Sequence, residues 1–442
     1  MQLRTFMVTL FVLLHFPRCS LAEFTGTWEQ EWAIQTSSSQ PESQKFESII
    51  EPEWRARWGD ISTTARIRLR LDSDGGLGPK SNNAQNYSSL NGPWYNEQKG
   101  EISLRELYMD SYFSVGKSNT EFSWRIGKQQ VVWGQADGLK VLDMVNPQSY
   151  REFILDNFED SRIPLWMINL SVPIGNSGTL QLLWIPDTTY HELAEPGSVF
   201  QITSPLRVPH PNISGLEAVH ILDVDKPNHA LNDSDAGIKY AVFWQGWDLT
   251  LNYFYHYQDF PVLYQQRKND TVTITPTYKR NHLLGGSASN TFGDFILRAE
   301  AGYNSDSYFI SSNLDSQGVS HYHEIASVLG LDWQGLSDTL LSVQWFQSYL
   351  LNYHRSTVRD QSDQSISFLA RRLFQNETWK AQLMILHSLN DEDGLVRPRI
   401  SHTLLSQLDI WIAADVFYGD SHGLYGEFDA NDRLTVGFEL GF

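Results

Sequence analysis

Arg433-Leu434-Thr435-Val436-Gly437-Phe438-Glu439-Leu440-Gly441-Phe442 closes the sequence, and its larger apolar residues fall on every second position. A period of two is the repeat of a β-strand with one apolar face, because successive side chains point to opposite sides. Two hairpins upstream carry the same pattern. Trp54, Ala56 and Trp58 run up to Gly59-Asp60, and Ile61, Thr63, Ala65, Ile67, Leu69 and Leu71 follow it. A two-residue turn there pairs Trp58 with Ile61 on one face. At Gln245-Gly246 the arithmetic repeats, with Ile238, Tyr240, Val242 and Trp244 meeting Trp247, Leu249, Leu251, Tyr253 and Tyr255. Ile168–Ile174 with Leu180–Trp184, Phe295–Tyr303, and Ile325–Trp333 with Thr339–Trp345 are further strand candidates.

Between the short turns lie long polar connections at residues 72–100, 134–164, 187–235, 258–277 and 417–430. Short and long alternate, which a membrane barrel requires and a soluble sandwich does not. The sequence therefore predicts an all-β fold, a transmembrane antiparallel up-and-down β-barrel. Starting from a first strand at Phe24–Ile34, about 18 strands are expected, with about 16 as the alternative and both termini on the short-turn side. After residue 22 no apolar run is long enough for a membrane helix, and mean hydropathy is negative. A barrel tolerates both, because lipid-facing and lumen-facing residues average out in any window. Aromatic residues make up 13 %, with 15 Trp and 19 Tyr, enough for interfacial girdles.

The first 22 residues read as an export leader: Arg4 as the charged end, Phe6–Phe16 as the apolar stretch, and Ser20-Leu21-Ala22 as the cleavage site. Residues 23–442 are then the barrel. Cys19 is the only cysteine and lies in the leader, so thiol chemistry is excluded from the mature chain. Removing Arg4 and Arg18 takes the formal charge from −19 to −21, which disfavours nucleic acid as a partner. A terminal aromatic after an alternating strand resembles the signal read by the Gram-negative barrel-assembly machinery, which makes Leu440 and Phe442 the candidate assembly signal. That resemblance implies the cell outer membrane, with its lipid and lipopolysaccharide as neighbours.

The polar face of the first hairpin is rich in arginine. Glu51, Glu53, Arg55 and Arg57 share it with Ser62, Thr64, Arg66, Arg68 and Arg70. A ladder of planar, permanently charged donor forks can steer anionic solutes. The register set by Gly59-Asp60 puts Glu53 opposite Arg66 and Glu51 opposite Arg68, so part of the ladder is neutralised across strands. Arg55, Arg57 and Arg70 are expected to keep free charge, with Arg125 a further lumen residue.

Arg125-Ile126-Gly127-Lys128-Gln129-Gln130-Val131-Val132-Trp133-Gly134, followed by Asp137 and by Val145-Asn146-Pro147, is the most distinctive stretch. It resembles a family of proteobacterial outer-membrane proteins, many grouped as a domain of unknown function, that share a strand Gly-Arg/Lys-Gln-x-Val-x-Trp-Gly before an Asn-Pro segment. The resemblance covers residues 125–147 and implies location and fold, with the solute open. Residues 134–164 are too long and too apolar for a solvated loop, with Leu139, Val141, Leu142, Met144, Phe153, Ile154, Leu155 and Phe158 to bury. They are expected to fold into the barrel, bringing Asp156, Glu159 and Asp160 across from the arginines. Residues 187–235 are expected to form a long outer loop.

The function expected from these residues is a porin-like channel for a small-molecule solute. The alternatives are a transporter or export partner for hydrophobic compounds, with a pocket opening toward the bilayer, and a secreted soluble β-rich binding protein. Catalysis is not expected. His387-Ser388 with Asn390 invites a hydrolase reading, but adjacent strand residues face opposite sides. Asp72-Ser73-Asp74-Gly75 and Asn390-Asp391-Glu392-Asp393-Gly394 are incomplete as calcium loops, and His321, His323 and Glu324 make a weak metal pattern. No cofactor and no metal site is expected.

Overall fold

The computed structural model describes residues 21–37, 42–74, 86–96, 99–115, 120–136, 139–209, 218–224 and 226–442. The leader with Cys19 lies outside the described residues apart from Leu21 and Ala22, as do Gly75 and Asp137. The strands with period-two sequences join into one 19-stranded sheet. Leaving out the three-residue strand Trp94–Asn96, eighteen strands close into an antiparallel barrel.

In chain order these are β1 (Leu21–Gln35), β2 (Ser43–Trp58), β3 (Ile61–Asp72), β4 (Gly100–Val115), β5 (Thr120–Gln129), β6 (Leu165–Ile174), β7 (Gly178–Ile185), β8 (Asp235–Trp244) and β9 (Trp247–Tyr257). The second half comprises β10 (Arg280–Phe292), β11 (Phe295–Ile310), β12 (Val319–Trp333), β13 (Thr339–Leu350), β14 (Ser362–Phe374), β15 (Trp379–Ser388), β16 (Gly394–Leu405), β17 (Leu408–Tyr418) and β18 (Arg433–Gly441). β18 pairs with β1, Trp28 opposite Leu440 and Trp32 opposite Val436, so neither the first nor the last strand is left as an edge. Beyond the last rungs, Gly26 and the Phe442 backbone exchange hydrogen bonds of 2.8 and 2.9 Å.

Both sequence-derived registers are present, Trp58 opposite Ile61 and Trp244 opposite Trp247. Every second connection is a tight turn, and the longer ones gather at the opposite end of the barrel. Within 258–277, read as a polar connection, Val262–Lys268 and Thr271–Thr277 instead form a hairpin, with Ala218–Ile221 added in parallel. The Val, Ile and Thr alternation at 271–275 was its signal. No described helix is long and apolar enough to cross a membrane.

The wall inverts the soluble-protein rule. Trp28, Trp32, Phe46, Leu69, Leu71, Ile238, Leu251, Leu329 and Leu331 are exposed, while Lys45, Glu47, Arg68, Arg70, Glu300 and Arg433 are buried. An apolar outer face round a polar interior suits hydrocarbon as the outer solvent. Leu329→Arg on this outer face is expected to destabilise the barrel by about 2–4 kcal/mol. Denaturant titration in lipid vesicles measures it; a shift within error would mean Leu329 faces water.

Candidate functional site

The site begins where a strand leaves the wall. Backbone pairing of β4 with β5 stops at Leu107 opposite Lys128, and β5 pairs with β6 up to Gln129 opposite Leu165. Just before the exit Gly127 has φ +132°, a conformation reserved in practice for glycine; a Cβ there would strike the Leu107 carbonyl oxygen. Gln129, fully buried, donates to the Met167 carbonyl at 3.3 Å, holding the end of β5 to β6. Asn146 returns to the same point. Its Oδ1 accepts from the Val131 N–H at 2.8 Å and its Nδ2 donates to the Ile163 carbonyl at 3.0 Å. Trp133 lies edge-on to Phe254, with centroids 5.6 Å apart, and donates to Gln181 Oε1 at 2.9 Å. Gly237 opposite has no side chain to block the indole.

From this exit the chain packs against wall side chains on several sides. Val131, Trp133, Val141, Leu142 and Val145 form one apolar cluster with Met167, Leu183, Phe254, Leu283, Val328 and Phe346 from β6, β7, β9, β10, β12 and β13. Phe153 and Leu155 form a second with Leu386, Leu395 and Phe417 from β15, β16 and β17, and with Phe200, Tyr425 and Phe428. Ion pairs tie the same segment to the remaining wall. Glu152 meets Lys45 at 2.9 Å, Arg151 at 2.8 Å and Arg433 at 2.9 Å, and Arg433 also meets Asp415 at 2.8 Å. Arg397 donates to the Leu155 carbonyl at 2.7 Å. Lys45, Glu47, Glu152 and Arg433 were not singled out in the sequence. Continuing the β2 alternation upward from Glu51 would have found the first two; Glu152 carried no local signal.

The arginine ladder divides into two parts. Arg66 makes a hydrogen-bonded pair with Glu53 at 2.6 Å and comes within 3.9 Å of Glu159. Arg68, buried, pairs with Glu51 and with Asp160 at 2.7 Å. Arg70 does not keep the free charge expected of it: it is buried, 3.4 Å from Glu47 and 3.5 Å from Glu101, the residue opposite it on β4. Arg55, also expected to keep free charge, is 59 % exposed but is paired with Glu53, its neighbour two residues along the same face of β2. Arg57 is exposed and donates to the Gly59 carbonyl at 3.1 Å. Arg125 lies 4.2 Å from the Tyr108 ring centroid and 3.7 Å from Asp110. Asp156 is partly buried; burial first and then the neighbouring Glu152 charge push its carboxyl above the usual range. Glu159 is exposed.

The enzyme and metal candidates have local duties. Asn390 accepts from the Gln364 N–H at 2.8 Å, and the Ser388 hydroxyl bonds Asp391. Asp72 accepts from the Phe46 and Asp74 N–H groups, and Asp393 from those of Tyr425 and Gly426. His321 bonds Asp306 at 2.8 Å. Among the described residues no group of three or more His, Cys, Asp or Glu could hold a metal ion.

The family described as "Protein of unknown function (DUF1302)" matches residues 50–428. No curated protein matches the sequence. Solved structures it resembles include OccAB2 of Acinetobacter baumannii, with 10% identity and a TM-score of 0.52 over 95% of this chain and 98% of that one. OpdK of Pseudomonas aeruginosa, solved with vanillate, gives 10% identity and 0.50 over 95% and 98%. A BenF-like porin from Pseudomonas fluorescens Pf-5 gives 8% and 0.50 over 96% and 98%. At such identities the likeness concerns the fold, which is that of outer-membrane porins.

Two outcomes follow from the anchoring contacts. Glu152→Ala, which leaves Lys45 and Arg433 short of a buried counter-charge, should cost about 3–5 kcal/mol, read as a lower denaturant midpoint in detergent. His191 accepts from the Gln148 N–H at 2.8 Å, and burial, then the Lys140 charge, hold its pKa well below the ordinary value. The unfolded imidazole takes up a proton below about pH 6.5 while the folded one resists. The tie between 148 and 191 therefore contributes fully above that pH and is lost as pH falls toward the folded pKa. His191→Gln should remove that acid-sensitive increment from the unfolding midpoint; an unchanged pH profile would show that His191 does not carry it.

Proposed function

The chain belongs to the DUF1302 family, and we propose that it is an outer-membrane channel for small polar solutes whose passage is narrowed by residues 130–164. The observation that carries this reading is the meeting of the segment's acidic edge with the arginine ladder, Asp160 on Arg68 and Glu159 beside Arg66. A carboxylate row set against a guanidinium row gives a field across the lumen rather than along it. Such a field orients dipolar solutes and favours those carrying charge over apolar ones.

In this reading the buried pairs of Arg68 and Arg70 hold the segment in place, and exposed Arg55, with Arg57 beside it, faces the water-filled lower lumen. The leader at 1–22, the assembly role of Leu440 and Phe442, and the outer position of 187–235 belong to the same proposal. The inversion of the wall supports it, as does the gathering of long connections at one end. OpdK, of similar fold, was solved with vanillate, and OccK2 of the same organism with glucuronate.

Planar-bilayer recording of the purified full chain tests the proposal. Discrete conductance steps are expected, and their absence would overturn the channel. Arg55→Gln with Arg57→Gln should shift the reversal potential in a salt gradient toward cation preference. Unchanged selectivity would take those two arginines out of the conduction path.

A further inference from the structure

The departure of β5 into the lumen leaves the wall incomplete. β4 rises seven residues past its last rung with β5, from Leu107 up to Gly100. Trp94–Asn96 pairs only with Gly100–Ile102, so among the described residues Ser103–Glu106 have no strand partner on that side. The break is covered by residues 86–93, which beyond the short ladder at Trp94–Asn96 are held by the Tyr190 N–H to Asn86 carbonyl bond of 2.8 Å and by side-chain contacts. Asn91 donates to the Pro164 carbonyl at 2.9 Å and to the Thr189 hydroxyl at 3.1 Å, and the Trp166 indole donates to the Leu90 carbonyl at 3.1 Å. The outward side of this cover is apolar. Leu90 is 72 % and Trp94 61 % exposed, continuous with exposed Ile102 and Leu71 on the neighbouring strands.

Directly behind the cover lies a small polar cavity, partly open to solvent. Tyr87 and Asn91 of the cover form its outer side, and Arg68, Arg70, Arg105 and Lys128 project into it from the wall. Arg68 and Arg70 have carboxylate partners. Arg105 gives hydrogen bonds to the Glu159 and Asp160 carbonyls, both at 3.2 Å, and its nearest carboxylate is Glu51 at 3.8 Å. Lys128 is 3 % exposed, its ammonium group donates to the Leu104 carbonyl, and among the described residues no carboxylate forms an ion pair with it. Glu192 on the far side has its carboxyl pushed up by burial and by Glu101, toward the neutral form. A buried ammonium group with one carbonyl partner is costly unless an anion completes it.

We propose that residues 86–96 are a side door in the barrel wall and that the cavity behind it receives the acidic head group of an amphiphile, whose apolar body lies in the outer leaflet. A carboxylate or phosphate head would meet Lys128 and Arg105. Its chain would pass between Trp94 and Leu90, where the wall has no hydrogen-bonded ladder to break. This entrance is additional to the aqueous path and does not depend on conductance.

The test uses the full chain in detergent, with Asn91→Cys and Thr189→Cys introduced to lock the cover to the connection that follows β7. Heat-modifiable gel mobility checks that each variant is folded. Probes are a fluorescent hexadecanoic acid, hexadecyl phosphate, acetate and inorganic phosphate. The long-chain acid or the alkyl phosphate should bind the reduced protein, fail to enter the disulfide-locked form, and bind again after reduction with dithiothreitol. The two long-chain probes identify which head group is preferred. Lys128→Met should weaken binding by about tenfold or more, the loss expected for a charged hydrogen bond. Equal binding to locked and reduced protein would overturn the door. Competition by acetate or inorganic phosphate at the concentration of the long-chain probe would reduce the cavity to a small-anion site reached from water, and would also overturn it. Conductance of the same samples tests the channel separately.

Discussion

Hydrocarbon offers no hydrogen-bond partner, and this one condition dictates the wall. Each N–H and C=O in the membrane must be satisfied by a neighbouring strand, so the sheet must close, and here it does so through the pairing of β18 with β1. Closure with period-two strands forces a sorting of side chains. What faces lipid must be apolar, and everything charged in the spanning strands must turn inward. The interior of this protein is consequently where its chemistry is concentrated, although most of its charge is already engaged there.

That engagement explains why the arginines do not act as one wall. A guanidinium placed inside a barrel has water on one side only if nothing else fills the lumen. Arg68 and Arg70 are buried, and each cation sits among carboxylates, Asp160 of the segment among them. Toward the tight-turn end, where the segment does not reach, Arg55 and Arg57 stay exposed. The difference lies in filling and not in residue type. A pair such as Glu152 with Lys45 and Arg433 anchors its segment because removing one member strands the others in a place that cannot solvate them.

The barrel was legible because its signal is strictly local. Period two along each strand, a two-residue turn at Gly59-Asp60, and alternating connection lengths each need only a dozen neighbouring residues to be read. The cross-strand pairs Glu53–Arg66 and Glu51–Arg68 followed from the turn alone. Arg70 was misjudged because one of its partners, Glu101, lies across a long connection whose register no turn fixes. Glu152 was invisible for the same reason on a larger scale, its partners lying on β2 and β18, more than a hundred residues away on either side. The hairpin at 262–277 was taken for a loop because the short alternation of Val272 and Ile274 follows the polar run from Gln265 to Asp270, which outweighed it.

The motif from Gly127 to Trp133, with Asn146, draws these strands of the argument together. Its residues perform one operation, turning a chain out of the wall and into the lumen. Gly127 permits the turn, Gln129 satisfies the backbone on β6 as the ladder ends, Asn146 substitutes for the missing strand at Val131, and Trp133 seats the first residues against Phe254. The packing of the segment against the wall and the covered break are then two consequences of a single departure. A wall that gives up a strand above Leu107 must cover the gap with something, and in a membrane that cover must be apolar outside while it meets a charged interior within. Leu90 and Trp94 on one side, with Asn91 and Tyr87 on the other, meet that requirement.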